Sequence, residues 1–266
     1  MAEATGIIGA ESAASQSEER ERVSLWEYLE SLLVTILLAL FGTSFVVQSF
    51  KIPSQSMEPT LLVGDHLLVN KFIFGGSGAW FEELLPYRSI RHGDIIVFKF
   101  PYDDNPYYVK RVIGIPGDRI RIIDQQVSVN GKQLDEPYVI HDPSVPYDPF
   151  GDTFPPTTTR FLRLAVRPEW AADILSHVQD GELVVPTEKY FVMGDNRDRS
   201  SDSRYWGFVD RQAIMGGPVM IYWSVETAAD SLDVDEGFRV RFHEFVDTVM
   251  HLPSRTRWKR MFHQVR

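Results

Sequence analysis

Residues 107–124 read YYVKRVIGIPGDRIRIID, two runs of β-branched and aromatic residues separated by Pro116-Gly117-Asp118. Such runs favour the pleated, half-buried backbone of a strand, and the Pro-Gly-Asp interruption favours a turn. The pattern continues on both sides in HLLVNKFIF (66–74), DIIVFKF (94–100), QVSVNG (126–131), KYFVMG (189–194) and VMIYWSV (219–225). Short runs at this spacing predict a mainly β body. Within it, Pro168–Val178 is the clear helical candidate, with Glu169 in the first turn and Trp170, Ile174 and Val178 as its apolar positions. It belongs to a stretch, residues 119–186, that opens on a hairpin signal at Asn130-Gly131 and runs through a proline-rich segment from Pro143 to Pro156. That stretch is expected to be an inserted subdomain.

The whole chain has 266 residues, 44% of them hydrophobic and 12% aromatic, enough to bury a substantial core. Its formal charge of -10 argues against a nucleic-acid partner, because phosphate binding needs clustered Lys and Arg. The last residues depart from that balance. Arg255, Arg257, Lys259, Arg260 and Arg266 follow His251 without an acid and alternate with Trp258, Met261 and Phe262. They read as a solvated terminal element or as a contact with acidic lipid headgroups. The chain has no cysteine, so a disulfide, a thiolate nucleophile and a zinc-thiolate site are excluded.

Residues 1–24 are rich in Ala, Ser and Glu and are expected to form a flexible tail. From Ser31 to Phe50 the sequence SLLVTILLALFGTSFVVQSF carries no charge, and as one helix it would reach about 30 Å, the hydrocarbon thickness of a bilayer. The expectation is a transmembrane helix over 25–50. The run starts too far into the chain, and lacks the small-residue cleavage site, of a removable leader. Thr35, Ser44, Gln48 and Ser49 keep open the alternative of a buried core helix. Arg20 and Arg22 before the span against Lys51 after it favour a cytoplasmic N-terminus, but several Glu on the first side leave the orientation open from charge alone.

Gly-x-Ser-x-Gly, the P-loop, Gly-x-Gly-x-x-Gly and His-Glu-x-x-His are all missing, which removes support for an α/β-hydrolase or a zincin. Three other segments carry possible chemistry. The first is Pro53-Ser54-Gln55-Ser56-Met57-Glu58-Pro59-Thr60 just after the apolar span, either a turn-rich linker or a serine held at the bilayer surface. The second surrounds Lys110, which shares a strand face with Val112 and Tyr108. Burial would strip its charge and make it a base near neutral pH, whereas an exposed edge lysine would only discourage aggregation. The third runs from Gly194 through Asp195, Asn196, Arg197, Asp198, Arg199, Ser200, Ser201, Asp202, Ser203 and Arg204 to Gly207, and alone it reads as a solvated charged loop or a cation site disfavoured by its arginines.

Taken in order, Ser56-Met57-x-Pro-Thr, Lys110-Arg-Val-Ile-Gly-x-Pro-Gly-Asp and Gly194-Asp-Asn-Arg-Asp-x-Ser-x-Asp-Ser-Arg-Tyr-Trp-Gly resemble the bacterial type I signal peptidases, serine peptidases with a Ser/Lys dyad. The resemblance implies that Ser56 is the nucleophile and Lys110 the general base, with Ser200 orienting the lysine. It further implies an oxyanion site made of the Ser54 hydroxyl and the Ser56 N–H, and ion pairs among Arg111, Asp195, Asp202 and Arg204 that brace the site. The implied fold is membrane-anchored: one N-terminal transmembrane helix, an antiparallel β catalytic core over 51–118 and 187–266, and a smaller β-rich insertion over 119–186. No cofactor and no metal are implied. Substrates would be preproteins bound as extended strands, with small residues at the first and third positions before the cut. The catalytic domain would lie on the outer side of the bacterial cytoplasmic membrane, as a monomer in contact with membrane lipid.

Two stretches fit the family's simplest pattern less closely. Gly237–Thr256 has a helical stripe of Phe238, Phe242, Phe245, Val246 and Val249, suited to packing on the core or lying in the bilayer interface. Phe74–Pro86 is an apolar loop with the same two readings. Two other functions stay open: a self-cleaving Ser/Lys repressor-type protease, which the apolar span and the lack of a DNA-binding half disfavour, and a membrane-anchored β-domain that binds partners without catalysis.

Overall fold

The structure is a computed structural model and describes residues 25–42, 47–75, 87–100, 107–157, 166–226 and 254–265. The expected tail over 1–24, most of the Phe74–Pro86 loop and most of the 237–256 stripe lie outside the described residues. The chain divides into two compact units, Met1–Val46 and Val47–Arg266.

The first unit contains helix α1, Leu25–Phe41. Its Leu and Ala content favours helix, and Thr35 bonds back to the Ser31 carbonyl at 2.7 Å. Leu29, Leu32, Leu33, Ile36, Leu37 and Leu40 are all exposed. The helix expected over 25–50 is corrected: α1 stops at Phe41, and Val47–Lys51 is a strand, β1. At 17 residues α1 rises about 26 Å. No helix among the described residues is long and apolar enough to cross a membrane.

The second unit is two antiparallel sheets. β1 joins β2 (Asp65–Asn70), β3 (Ile95–Lys99) and β4 (Tyr107–Gly114). There follow β5 (Arg119–Ile123), β6 (Gln126–Val129), β7 (Lys132–Gln133), β8 (Val178–Gln179) and β9 (Glu182–Val184). The last strands are β10 (Lys189–Met193), β11 (Val209–Asp210), β12 (Ile214–Ser224) and β13 (His263–Gln264). The large sheet has the order β1-β2-β12-β3-β4-β10-β11, with β13 also paired to β12; the small one is β7-β6-β5-β9-β8. The small sheet thus lies within 119–184, and both sheets belong to the one compact unit. Its hairpins turn at Asp124-Gln125, Asn130-Gly131 and Asp180-Gly181, each a pair of positive-φ residues whose twist matches that of the strands.

The helix expected over Pro168–Val178 divides. α2 covers Pro168–Asp173, a 3-10 turn covers Ile174–His177, and Val178 already begins β8. Trp170 and Ile174 fill the core beneath the small sheet with Phe154, Leu183 and Phe191. A second core packs Ile96, Phe98, Val112, Val192 and Trp206, and a third packs Met57, Leu61, Leu67, Val97 and Ile221. β4 is buried from Lys110 to Gly114, so both of its faces are covered there.

Residues 254–265 return to the large sheet through β13, whose His263 and Gln264 pair with Ile221 and Met220. Arg257 and Arg260 reach the buried Asp65, at 3.9 and 2.6 Å. These two arginines are therefore structural partners of the core rather than part of a solvated end.

Candidate active site

Ser56 sits in the long connection from β1 to β2. That connection closes on itself through Ile52 N–H to Asp65 O at 2.8 Å and Gly64 N–H to Ile52 O at 3.0 Å. Gln55–Met57 forms a single 3-10 turn within it, and Met57 plugs the third core, fixing the turn from below. Ser56 is thereby carried over β4, where antiparallel pairing with β3 sets Lys110 opposite Ile96.

The lysine amine donates to the Ser56 hydroxyl across 2.5 Å, with Lys110 only 4% and Ser56 only 6% exposed. Removal from water disfavours the ammonium ion and lowers the Lys110 pKa from 10.5 to about 8, against the opposing pull of Asp202 and Asp195. Nζ stands 5.8 Å from the centre of the Tyr108 ring, on the strand face anticipated from the sequence. Ser54 Oγ lies 3.3 Å from Ser56 Oγ, which puts the two hydroxyls on one side of the turn. Ser200 is buried nearby, but its hydroxyl has no hydrogen-bond partner among the described residues, so in this state it does not hold the lysine.

The four charged residues expected around the site form two separate buried pairs. Arg111, beside Lys110 in β4, grips Asp195 with Nε and Nη2 at 2.8 and 2.7 Å. Arg204 grips Asp202 two positions away, with both bonds at 2.9 Å. Asp202 also caps helix α3 (Ser203–Trp206) and accepts the Gly194 N–H at 3.2 Å. Burial alone would raise the Asp202 pKa, yet the Arg204 charge and these hydrogen bonds outweigh it and hold the carboxyl below its usual range.

Several residues that the sequence did not single out complete the frame. Thr60 donates to Asp195 at 2.5 Å, and Tyr138 stacks its ring 3.9 Å from the Arg111 guanidinium. Arg197 pairs with Glu136 at 2.5 Å and bonds the Gly194 carbonyl at 3.1 Å, while Asn196 N–H reaches Ser56 O at 3.2 Å. Thr60 and Arg197 at least stood within the motif segments; Glu136 had no local signal. Asp118 accepts from Ile115 N–H, Asn130 and His92, which pins the turn after β4. Among the described residues no histidine bonds to Ser56, and no group of His, Asp and Glu is placed to hold a metal ion.

A buried amine bonded to a serine hydroxyl is an arrangement able to deprotonate that hydroxyl for attack on a carbonyl. Comparison with known proteins agrees with a peptidase. The family model described as signal peptidase, peptidase S26, matches residues 25–223. Signal peptidase I of Pseudomonas aeruginosa is 36% identical over 187 residues, 68% of this chain and 63% of that protein. The match therefore spans less than two thirds of that relative. Signal peptidase I of Aquifex aeolicus is 35% identical over 222 residues, 73% of this chain and 82% of that protein. A probable signal peptidase I-2 of Synechocystis sp. is 32% identical over 218 residues, 79% of each. With the family's match covering most of its length, this chain belongs to the signal peptidase family, peptidase S26.

Proposed function

We propose that the protein is a serine endopeptidase that removes N-terminal signal peptides from exported preproteins, using Ser56 and Lys110. The observation that carries this reading is the 2.5 Å contact between Lys110 Nζ and Ser56 Oγ, buried so that the amine loses its proton near pH 8. Neutral Lys110 takes the Ser56 proton as Oγ attacks the scissile carbonyl. The oxyanion is received by the Ser54 hydroxyl and the Ser56 N–H, which belongs to the 3-10 turn's leading amides and so lacks an acceptor within that turn. Lys110 then gives its proton to the leaving amine and afterwards activates the water that hydrolyses the acyl-enzyme. Ser200 orients the amine during these transfers. No metal or cofactor enters the steps.

The substrate is an extended segment with small residues at the first and third positions before the cut. The exposed Leu and Ile side chains of α1 support attachment to the bacterial cytoplasmic membrane. In this reading the β body lies on the outer side, and residues 119–186 are an insertion within a monomeric catalytic domain. The test is cleavage of a preprotein carrying an Ala-x-Ala site by the detergent-solubilised full chain. Ser56→Ala and Lys110→Ala should each lower turnover by on the order of 10³ or more while staying folded. Full activity in folded Lys110→Ala would place the base elsewhere.

A further inference from the structure

Asp65 has no exposed surface, yet it is the point on which the Ser56 loop closes. Its carboxylate accepts the Leu62 N–H at 2.8 Å and the Ser224 hydroxyl at 2.6 Å, and these two bonds leave its charge unbalanced. The balancing charge comes from residues 257 and 260: Arg257 stands 3.9 Å from Oδ1 and donates to the Val63 carbonyl, while Arg260 makes the direct contacts with the carboxylate. Arg260 Nη2 reaches Asp65 Oδ2 at 2.6 Å, its Nε reaches Oδ1 at 3.3 Å, and Nη2 also donates to the Thr60 carbonyl at 2.9 Å. Thr60 is a junction, since its hydroxyl bonds Asp195, the partner of Arg111 next to Lys110. One guanidinium thus holds the loop at residue 60 and residue 65, and the same loop is tied at residue 60 to the strand that bears the lysine.

We propose that Arg260 is a positioning residue for the nucleophile: bonded at once to the Asp65 carboxylate and the Thr60 carbonyl, it fixes the 52–65 loop so that Ser56 stays aimed at Lys110. The inference rests on the Ser56 and Lys110 reading given above. A planar guanidinium is suited to the task because it spans two acceptors in fixed directions, which an ammonium on a flexible stem does not. Loss of the clamp lets the loop drift, and catalysis is sensitive to such drift because a displacement of about 1 Å between reacting groups can cost 10²-fold in rate. It also admits water to the amine, which restores the ammonium form and moves the acid limb of the rate profile to higher pH.

The test measures kcat, KM and the pH profile of the full chain in detergent, with Arg260→Ala, Arg260→Lys and, in the same assay, Ser56→Ala. Arg260→Ala should lower kcat by about tenfold or more, leave KM within about twofold and shift the acid limb to higher pH. Arg260→Lys should fall between the two. A cleft of about 480 Å³ lined by Pro59, Thr60, Arg260 and Phe262 gives solutes access, so added guanidinium should restore part of the lost turnover in Arg260→Ala. A folded Arg260→Ala with unchanged kcat, or with only a raised KM, would overturn the proposal. Should Arg260→Ala not fold, Arg260→Lys decides, and wild-type kcat and pH profile in that variant would overturn it equally. Activity in Ser56→Ala would instead refute the dyad reading on which the inference stands.

Discussion

Gly194 faces the backbone carbonyl of Ser56 so closely that a β-carbon built on it would stand 2.4 Å from that oxygen, and 2.3 Å from the Ser200 hydroxyl. The Ser200 hydroxyl has rotamers to escape into, but Ser200 Cβ, 2.6 Å away, moves only with its backbone, and the Ser56 carbonyl is itself backbone and also accepts the Asn196 N–H. Relief must therefore come from moving backbone on two sides of Gly194, the turn that carries Ser56 and the segment that carries Ser200. Gly194→Ala is expected to destabilise the fold by roughly 1–3 kcal/mol and to depress turnover more than substrate binding. Urea denaturation alongside kcat and KM checks both parts; a variant with wild-type kcat would show that the turn tolerates the shift.

Lys110 sets activity against stability. Its pKa falls from 10.5 to about 8 on folding, so between those pH values the unfolded chain holds a proton that the folded chain has released. Stability should therefore rise with pH across this window, and below it the folded state bears the full cost of a buried ammonium, on the order of 3 kcal/mol. Lys110→Met removes the charge and nearly keeps the volume. The variant should be inactive yet more stable than wild type at pH 7, and the difference should shrink toward pH 10. Chemical denaturation of both proteins at several pH values is the measurement, and a less stable Lys110→Met at pH 7 would contradict it. In the active protein kcat/KM should climb through about pH 8 as the amine becomes neutral.

The parts of this site that were readable in advance are those encoded by local sequence. Ser56 and Lys110 stood in short motifs, and the strand that carries Lys110 announced itself through its β-branched run. The end of α1 did not, because Ser31–Phe50 is uniformly free of charge, and hydropathy registers apolar character without registering which backbone partners are available. β1 is a strand because β2 offers it a complete register from Val47–Asn70 to Lys51–His66. The same limit hid the frame of the site. Glu136 meets Arg197 across 61 residues and Asp65 meets Arg260 across 195, distances at which no spacing rule operates. Helix α2 fell between these cases, its start marked by Pro168 and its end altered by a last turn tightened into 3-10 form just before β8.

The Asp202–Arg204 pair is buried completely enough that breaking it should cost far more than the pair is worth. Arg204 is 2% exposed, and its other bonds go to the Arg197 and Gly151 carbonyls at 2.7 and 3.3 Å. Arg204→Met would leave the Asp202 carboxylate buried without its counter-charge, at a cost of about 3–5 kcal/mol. Adding Asp202→Asn removes the stranded charge, so the double variant should be more stable than the sum of the two single losses. Thermal and urea unfolding of the four proteins gives the coupling, and simple additivity would mean that the two side chains act independently.

Ser200 separates a structural from a chemical role most directly. Its hydroxyl is buried without a partner among the described residues, so replacing the hydroxyl with hydrogen removes an unsatisfied polar atom and no bond. Ser200→Ala should therefore be as stable as wild type or better by up to about 1 kcal/mol. Its turnover should nonetheless fall, by about tenfold or more, because hydrogen bonds that position a general base often tighten only when substrate fills the site. Residual activity should retain wild-type KM, since the hydroxyl orients the Lys110 amine rather than the preprotein. Full kcat in Ser200→Ala would mean that Ser56 and the buried strand suffice to orient the lysine; a loss of stability instead would mean that the hydroxyl has a bonding partner in solution.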